Sequence, residues 1–281
     1  MKTILVPTDF SSHATNAVMY AASLAGLLNA KVILFHSYHV PVAISEYSVI
    51  LMAEPAIDQN TLDELQLLEK RVKEIAGNIP VETIIREDLL LDGIRAVVKE
   101  KEVDLLVLGT LGAKGLEEVL IGSHSAYILE NVDCPVLIIP ACASQKKLEK
   151  IIYATDFQFN DFRYINQLID LARPSQAQII ITHISTHKKQ DEELMAWFKE
   201  IAEPNIAYPF ISFKSFTGDQ VLDELCHAIK FLEADMVCMA TARRSFFEKI
   251  LHGSLTKKMA YHCEVPLLAF HLEESKKLYP V

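Results

Sequence analysis

The feature that most constrains this chain is an internal repeat. The segment Lys2–Phe10 aligns with Glu149–Phe157, and His36 aligns with His183, both at an offset of 147 residues. Three later matches share an offset of 131 residues: Asp104 with Asp235, Gly122-Ser123 with Gly253-Ser254, and Pro135 with Pro266. Self-similarity over this length indicates two copies of one domain-sized unit. The difference between the two offsets, 16 residues, is missing from the second copy between its second and fourth strand-like runs.

The boundary between the copies lies in the polar stretch from Ala143 to Lys147. A chain of 281 residues is long enough for two domains, and 51% of its residues are hydrophobic, so each half can form a core. We therefore expect a first domain over residues 1–141 and a second over residues 148–273.

Within each copy, short apolar runs alternate with longer segments of helical period, which predicts βα units and a parallel sheet. The predicted strands of the first copy are Thr3–Pro7, Lys31–His36, Val81–Ile85, Asp104–Leu108 and Pro135–Ile139. Its predicted helices are Ser12–Leu28, a segment capped by Asn60 and ended by Gly77, Asp92–Lys101, and Ser123–Asn131. The predicted fold class is α/β: two tandem doubly wound (Rossmann-like) domains, each a five-stranded parallel sheet with about four helices.

Composition argues against several functional classes. The formal net charge is −10 and no cluster of Lys and Arg is present, so nucleic acid is not an expected partner. No stretch approaches the roughly 18 apolar residues of a membrane helix, and the apolar run at the start ends at Pro7, unlike a signal peptide. The five cysteines form no Cys-x-x-Cys pair. We expect a reduced, cytoplasmic protein with no membrane association.

Polar and small residues follow the first and fourth strands. In doubly wound sheets ligands bind beyond the carboxyl ends of the strands. Glycines at 109 and 112 would allow backbone amides to approach an anion, and a helix opening at Gly122-Ser123 would add its positive end. The Ser123 hydroxyl could donate to a phosphate oxygen or simply cap its own helix, and the glycines could serve only a tight turn. Asp9 can accept hydrogen bonds from ligand hydroxyl or amino groups but cannot favour phosphate.

The full pattern resembles the universal stress protein family in its tandem two-domain form. The resemblance is carried by Pro7–Ser11, by Gly109-x-x-Gly112 followed after nine residues by Gly122-Ser123, and by the ending Cys134–Ile139. It implies a stress-response or signalling protein that binds ATP or another adenine nucleotide, with or without Mg²⁺. The residues it implies for ribose and phosphates are Gly109, Gly112, Gly122 and Ser123, and those for the adenine end are Asp9 and Ser37. Ser37 stands where the family often has an apolar residue.

The second copy departs from this pattern. Ala240 and Arg243 occupy the positions of the two loop glycines, although Asp156 and Gly253-Ser254 are kept. Side chains at both glycine positions would obstruct the backbone approach, so the second site is predicted to be degenerate. Binding of an anion by the guanidinium of Arg243 or Arg244 is the alternative.

No catalytic set is visible in the sequence. There is no P-loop motif and no Gly-x-Ser-x-Gly elbow. His36 with His39, and His183 with His187, lack cysteine or carboxylate partners at zinc-like spacing, so structural histidines are expected rather than a metal site. The resemblance implies slow hydrolysis or autophosphorylation at most. A ligand-free structural or adaptor protein of the same fold is the main alternative, and an adenylate-transferring enzyme a weaker one.

Two further expectations concern architecture. The segment Tyr38–Asp58 is long, apolar and placed after the second strand, which suggests either a mobile flap over the ligand or packing against the second copy. The last strands, Pro135–Ile139 and Pro266–Phe270, should lie at sheet edges and pair antiparallel, making an intramolecular pseudo-dimer of the two domains. Further association into a homo-oligomer stays open.

Overall fold

The protein is described by a computed structural model. It covers residues 2–38, 43–45, 48–50, 57–110, 127–129, 131–143, 147–157, 161–185, 188–241 and 265–271. Residues 2–143 are called the N-terminal half below, and residues 147–271 the C-terminal half.

Strands and helices alternate along the N-terminal half. Its elements are β1 (Thr3–Pro7), α1 (Ser12–Leu28), β2 (Lys31–Tyr38), β3 (Ala43–Ser45), β4 (Ser48–Ile50), α2 (Gln59–Ala76), β5 (Val81–Glu87), α3 (Leu90–Glu100), β6 (Leu105–Gly109) and β7 (Val136–Ile139). A helical segment is also present at residues 127–129. The α/β fold class predicted from the sequence is confirmed.

The C-terminal half follows the same alternation. Its elements are β8 (Lys150–Ala154), α4 (Asp161–Ala172), a 3₁₀ turn (Arg173–Ser175), β9 (Gln178–Ser185), α5 (Lys188–Asn205), β10 (Ile211–Thr217), α6 (Val221–Leu232), β11 (Met236–Thr241) and β12 (Leu267–His271).

One sheet of ten strands runs through both halves, in the order β10-β9-β8-β11-β12-β7-β6-β1-β2-β5. Every neighbouring pair is parallel except β7 with β12, which pair antiparallel with Leu137 opposite Leu268. The expected antiparallel pairing of the two last strands is therefore present. Each apolar last strand is covered by the other, which removes two edges that would invite aggregation.

Matched aspartates hold the start of the first strand in each half. Asp104 Oδ2 accepts hydrogen bonds from the backbone amides of Lys2 and Thr3, at 2.7 and 3.0 Å. Asp235 Oδ2 accepts the equivalent pair from the amides that open β8, at 2.8 and 2.9 Å. Two residues matched only by their sequence offset thus make the same contacts.

The ends of α1 and the C-terminal end of α2 agree with the sequence, whereas α3 begins two residues before the predicted Asp92 and ends one residue before the predicted Lys101. Helix α1 has the predicted bounds, with the Ser11 hydroxyl accepting from the Ala14 amide as its N-cap. Helix α2 ends at Gly77, which has a φ of 75°, as expected. Its predicted N-cap, Asn60, is wrong. The cap is Asp58, whose carboxylate accepts from the Thr61 amide at 2.7 Å.

Helix α1 lies close to the sheet because its buried face is small. The buried residues of that face are Ala17, Val18, Ala21, Ala22, Leu24 and Ala25. Alanine side chains extend little beyond the helix backbone, so this helix can sit directly over the strands. That closeness determines the geometry of the loop at its N-terminus, where the candidate site lies.

Candidate functional site

A cleft of about 490 Å³ opens at the carboxyl ends of β1, β2 and β6. Three of the residues predicted from the sequence line it together: Asp9, Ser37 and Gly109. Thr8, Ser11 and His13 also line its walls. The volume lies within the range of about 300–1,000 Å³ usual for small-molecule sites, and the position is the one where parallel α/β sheets bind ligands.

The loop between β1 and α1 is held by a chain of short-range hydrogen bonds. The Phe10 amide donates to Thr8 Oγ1 at 3.1 Å, and the Ser11 amide donates to Asp9 Oδ1 at 3.0 Å. Phe10 has a φ of 62°, a left-handed conformation that a bulky residue adopts only at a cost of about 1–2 kcal/mol. The turn leaves Asp9 exposed on the cleft wall, with its second carboxylate oxygen able to accept from a ligand.

His36 packs against this loop from the end of β2. Its Nδ1 lies 2.9 Å from the carbonyl oxygen of Thr8, and because a carbonyl can only accept, Nδ1 carries the proton. The ring also packs on Phe10, with 4.8 Å between ring centroids. The sequence had predicted a structural histidine here, and this contact agrees with it.

The backbone of Ser37 faces the cleft. In β2, odd-numbered residues turn their amide and carbonyl toward β1: Lys31 donates to Lys2, and Phe35 accepts from Thr8. Even-numbered residues turn toward β5, since Tyr38 accepts from Asp88. Ser37 therefore points its backbone groups to the β1 side, where the β1–β2 ladder has already ended at Pro7 and Phe35.

Gly109 has a role within the fold itself. A Cβ at this position would lie 2.5 Å from the carbonyl oxygen of His13 and 3.3 Å from the amide of Ala14. Both atoms belong to the backbone at the start of α1, so no side-chain movement could relieve the clash. The glycine is therefore required for the close approach of α1, in addition to any access that it gives a ligand.

Several predicted site residues lie outside the described part of the chain. They are Gly112, Gly122 and Ser123 of the first copy, and Arg243, Gly253 and Ser254 of the second. The same is true of most of the segment predicted as a flap. Within that segment the structure describes β3 and β4, an antiparallel pair with Ile44 opposite Val49.

The C-terminal half repeats the loop contacts of the N-terminal half. His183 Nδ1 lies 2.9 Å from the Thr155 carbonyl, and its ring packs on Phe157, which has a φ of 60°. The Phe157 amide donates to Thr155 Oγ1 at 2.9 Å. Asp156 and Ala240 occupy the positions of Asp9 and Gly109. The equivalence of these two loops was visible in the sequence, but their shared hydrogen-bond pattern was not.

A buried polar network is specific to the C-terminal half. Asp161, only 1% exposed, accepts hydrogen bonds from the Tyr153 hydroxyl at 2.7 Å and from the Thr155 hydroxyl at 2.5 Å. Burial, reinforced by the nearby Asp161 carboxylate, raises the pKa of Tyr153 well above its usual value. Val6 and Ala14 stand at the positions matching Tyr153 and Asp161 in the N-terminal half.

A second cavity, of about 410 Å³, lies between the halves. It is lined by residues of α1, of the segment between β7 and β8, and of the 3₁₀ turn, including Tyr20, Leu24, Leu148 and Pro174. None of the predicted site residues line it. Among the described residues, no three His, Cys, Asp or Glu side chains are grouped so that they could hold a metal ion. The helices within the described ranges include none long and apolar enough to cross a membrane.

Comparison with known proteins gives a consistent result. The model of the universal stress protein family matches residues 1–140 and 216–271. A universal stress protein of Methanocaldococcus jannaschii is 32% identical over an alignment of 143 residues, which covers 49% of this chain and 81% of the relative. One from Thermus aquaticus is 31% identical over 145 residues, covering 49% of this chain and 98% of the relative.

Structural comparison extends the likeness across both halves. The crystal structure of a universal stress protein from Archaeoglobus fulgidus superposes with a TM-score of 0.69, covering 96% of this chain and 98% of that one. The sequence identity is 17%, so this match speaks for the fold alone. With a family model that matches most of its length, the chain belongs to the universal stress protein family.

Proposed function

We propose that the N-terminal half binds ATP or a related adenine nucleotide, with little or no turnover, as part of a cytoplasmic stress response. The observation that carries this proposal is the cleft that joins Asp9, Ser37 and Gly109 at the carboxyl ends of three parallel strands. The sequence pattern also predicts these three residues as part of the site.

The cleft separates two kinds of contact. Asp9 and Ser37 both line the cleft, and the Asp9 carboxylate and the Ser37 backbone suit hydroxyl and amino groups of a nucleoside. The Ser37 carbonyl can accept from an exocyclic amine, and its amide can donate to a ring nitrogen. Because the ligand contact comes from the backbone, a serine here serves as well as an apolar residue. Phosphates would be repelled by Asp9 and would lie toward the segment that follows Gly109, where the sequence predicts a helix that opens at Gly122-Ser123.

Slow turnover follows from the described side chains of the cleft. His13 lines it but has no carboxylate to orient it, and Asp9 Oδ1 is already engaged by the Ser11 amide. Neither forms the base-and-orienter pair that activates a water molecule. We propose that any Mg²⁺ enters with the nucleotide phosphates.

A second candidate function is a structural or adaptor role without ligand. It is favoured by the finding that Gly109 is required for the packing of α1 whether or not a ligand binds. The glycine alone therefore does not distinguish the two functions, whereas binding does.

Calorimetric titration of the full chain with ATP tests the proposal. We expect binding by the unmodified protein and about tenfold weaker binding by Asp9→Ala, the loss expected for one or two hydrogen bonds to the ligand. Asp156→Ala, the matched change in the C-terminal half, should leave the affinity unchanged. Absence of binding by the unmodified protein would favour the structural role.

A further inference from the structure

The hydrogen-bonded pairing of β1 with β2 ends at Pro7 and Phe35, although both chains continue beyond these residues. In the regular parallel ladder, the Lys31 amide donates to Lys2, and the Thr8 amide donates to Phe35. The next two bonds of this pattern would join the Ser37 amide to the Thr8 carbonyl and the Phe10 amide to the Ser37 carbonyl. Neither is formed within the described residues.

Side chains replace both of these bonds. The Thr8 carbonyl accepts a hydrogen bond from Nδ1 of His36 at 2.9 Å. The Phe10 amide donates instead to the hydroxyl of Thr8 at 3.1 Å. The left-handed conformation of Phe10, with a φ of 62°, interrupts the extended backbone that a continued ladder would need. The ring contact between Phe10 and His36 stabilises that conformation.

We propose that His36 is a positioning residue of the nucleotide site: it takes the place of the Ser37 amide on the Thr8 carbonyl and so releases the Ser37 backbone to the ligand. This inference rests on the function proposed above. It makes the imidazole responsible for recognition of the base, although the ring itself does not touch the ligand. The released amide and carbonyl form a donor and acceptor pair on the side of β2 that faces the cleft.

The C-terminal half supplies a matched control. His183 makes the same contact with Thr155, also at 2.9 Å, and the Phe157 amide turns to the Thr155 hydroxyl in the same way. A purely structural role would therefore be the same at both histidines. A role in nucleotide binding would be confined to His36.

The experiment compares the unmodified chain with His36→Leu, His36→Gln and His183→Leu. Amide hydrogen exchange at Ser37, followed by NMR, reports whether the ladder has closed. Titrations with ATP and with inorganic tripolyphosphate report base and phosphate recognition separately. In the unmodified protein we expect the Ser37 amide to exchange freely without nucleotide and to be protected by ATP.

In His36→Leu, the Ser37 amide should bond to Thr8 and slow its exchange at least about tenfold, since a protected amide exchanges only through opening. Affinity for ATP should fall about tenfold while affinity for tripolyphosphate stays within about twofold. His36→Gln, which keeps a side-chain donor, should recover part of the ATP affinity, and His183→Leu should change neither ligand's affinity.

Equal losses for ATP and tripolyphosphate would show a general structural effect and overturn the inference. A Ser37 amide that is already protected in the unmodified protein without nucleotide would also overturn it, and this result does not depend on any variant folding. If the unmodified protein binds no ATP, the proposed function fails, while the exchange contrast between the unmodified protein and His36→Leu still tests whether His36 ends the ladder.

Discussion

Helix α1 and its counterpart α4 cover equivalent positions in the two halves but present different surfaces to the sheet. The buried face of α1 consists mainly of alanines, whereas that of α4 carries Tyr164 and several leucines and isoleucines. Tyr164 stacks on Phe270 of β12, and Phe162 of α4 stacks on Phe198 of α5. Small residues bring one helix onto the strand ends. Aromatic residues of the other helix pack against β12 and α5.

The same difference recurs at the carboxyl ends of the strands. In the N-terminal half, Val6, Ala14 and Gly109 leave room for the α1 backbone to meet β6. In the C-terminal half, Tyr153 and Asp161 form a buried hydrogen bond at the matching positions. The loops built on His36 and His183 are alike in both halves. The two halves therefore share a loop but differ in the packing beneath it, and this packing is where the proposed difference in nucleotide binding would arise.

The largest effect should come from making the loop after Gly109, which is predicted to bind phosphates, resemble its counterpart in the second copy. Gly112→Arg introduces the residue found at 243 and should weaken ATP binding by about 100-fold or more, equivalent to about 2.7 kcal/mol. An arginine side chain at this position would obstruct the predicted approach of the loop amides to the phosphates. Circular dichroism and calorimetry would check that folding is kept while binding is lost.

The reverse change provides the control. Arg243→Gly should not create a second site, because Ala240 and the buried Tyr153–Asp161 network remain. Normal ATP binding by Gly112→Arg would show that this loop is not the phosphate site.

Stability should depend on Gly109 more than on its counterpart. Gly109→Ala places a Cβ 2.5 Å from the His13 carbonyl, and overpacking of this kind costs about 1–3 kcal/mol. Ala240→Gly should cost less than about 1 kcal/mol, the usual penalty for a glycine within a strand. Urea unfolding of both variants measures the difference. A neutral Gly109→Ala would mean that α1 does not approach β6 as closely as described.

The buried network should stabilise the C-terminal half. Tyr153→Phe removes the donor to the Asp161 carboxylate and should lower the free energy of unfolding by about 1.5–3 kcal/mol, as for hydrogen bonds to charged groups. Tyr208→Phe is the control, because its hydroxyl donates to the neutral carbonyl of Ala177 at 2.8 Å, and its loss should cost about 1 kcal/mol. Equal losses would argue against an ionised Asp161.

The network also predicts a dependence on alkaline pH. Burial raises the pKa of Tyr153 in the folded state above its ordinary value. A raised folded-state pKa gives stability that is complete below the unfolded pKa of about 10 and is lost as the pH rises further. Tyr153→Phe should reduce the decline in stability above pH 10, and an unchanged decline would contradict this assignment.

The smallest effect should come from the side chain of Ser37, at the end of the cleft where the adenine is proposed to bind. Ser37→Val alters the side chain but keeps the backbone groups that face the cleft, so ATP affinity should change by less than about threefold, or about 0.6 kcal/mol. A loss of tenfold or more would show that the serine hydroxyl, rather than the backbone, contacts the ligand. Calorimetry of this variant beside Asp9→Ala separates the two contributions.

Much of this architecture could be predicted from the sequence because the signals are local. Continuous apolar runs predicted the five strands that the N-terminal half contributes to the large sheet to within about two residues, but not the short pair β3 and β4. The repeat identified which strand ends are equivalent. The cap of α2 was placed wrongly because Asp58 and Asn60 are both good capping residues two positions apart. Only the fold shows which side chain meets the Thr61 amide.

The features that the sequence does not predict depend on tertiary contacts. Gly109 was selected as a loop glycine, but its contact with the α1 backbone requires knowing how closely an alanine-rich helix approaches β6. The sequence shows no motif for the buried hydrogen bond between Tyr153 and Asp161, because the two residues are eight positions apart along the chain. The bond from His36 to Thr8 had one signal in the sequence, namely that His36 and Phe10 both recur as His183 and Phe157.

The number of nucleotides bound by each chain tests the asymmetry between the halves most directly. Native mass spectrometry of the full chain with increasing ATP counts them without assuming which half is occupied. The account predicts saturation at one ATP per chain, and loss of that ATP in Gly112→Arg. Saturation at two equivalent ATP molecules per chain would contradict it, as would retention of one ATP in Gly112→Arg.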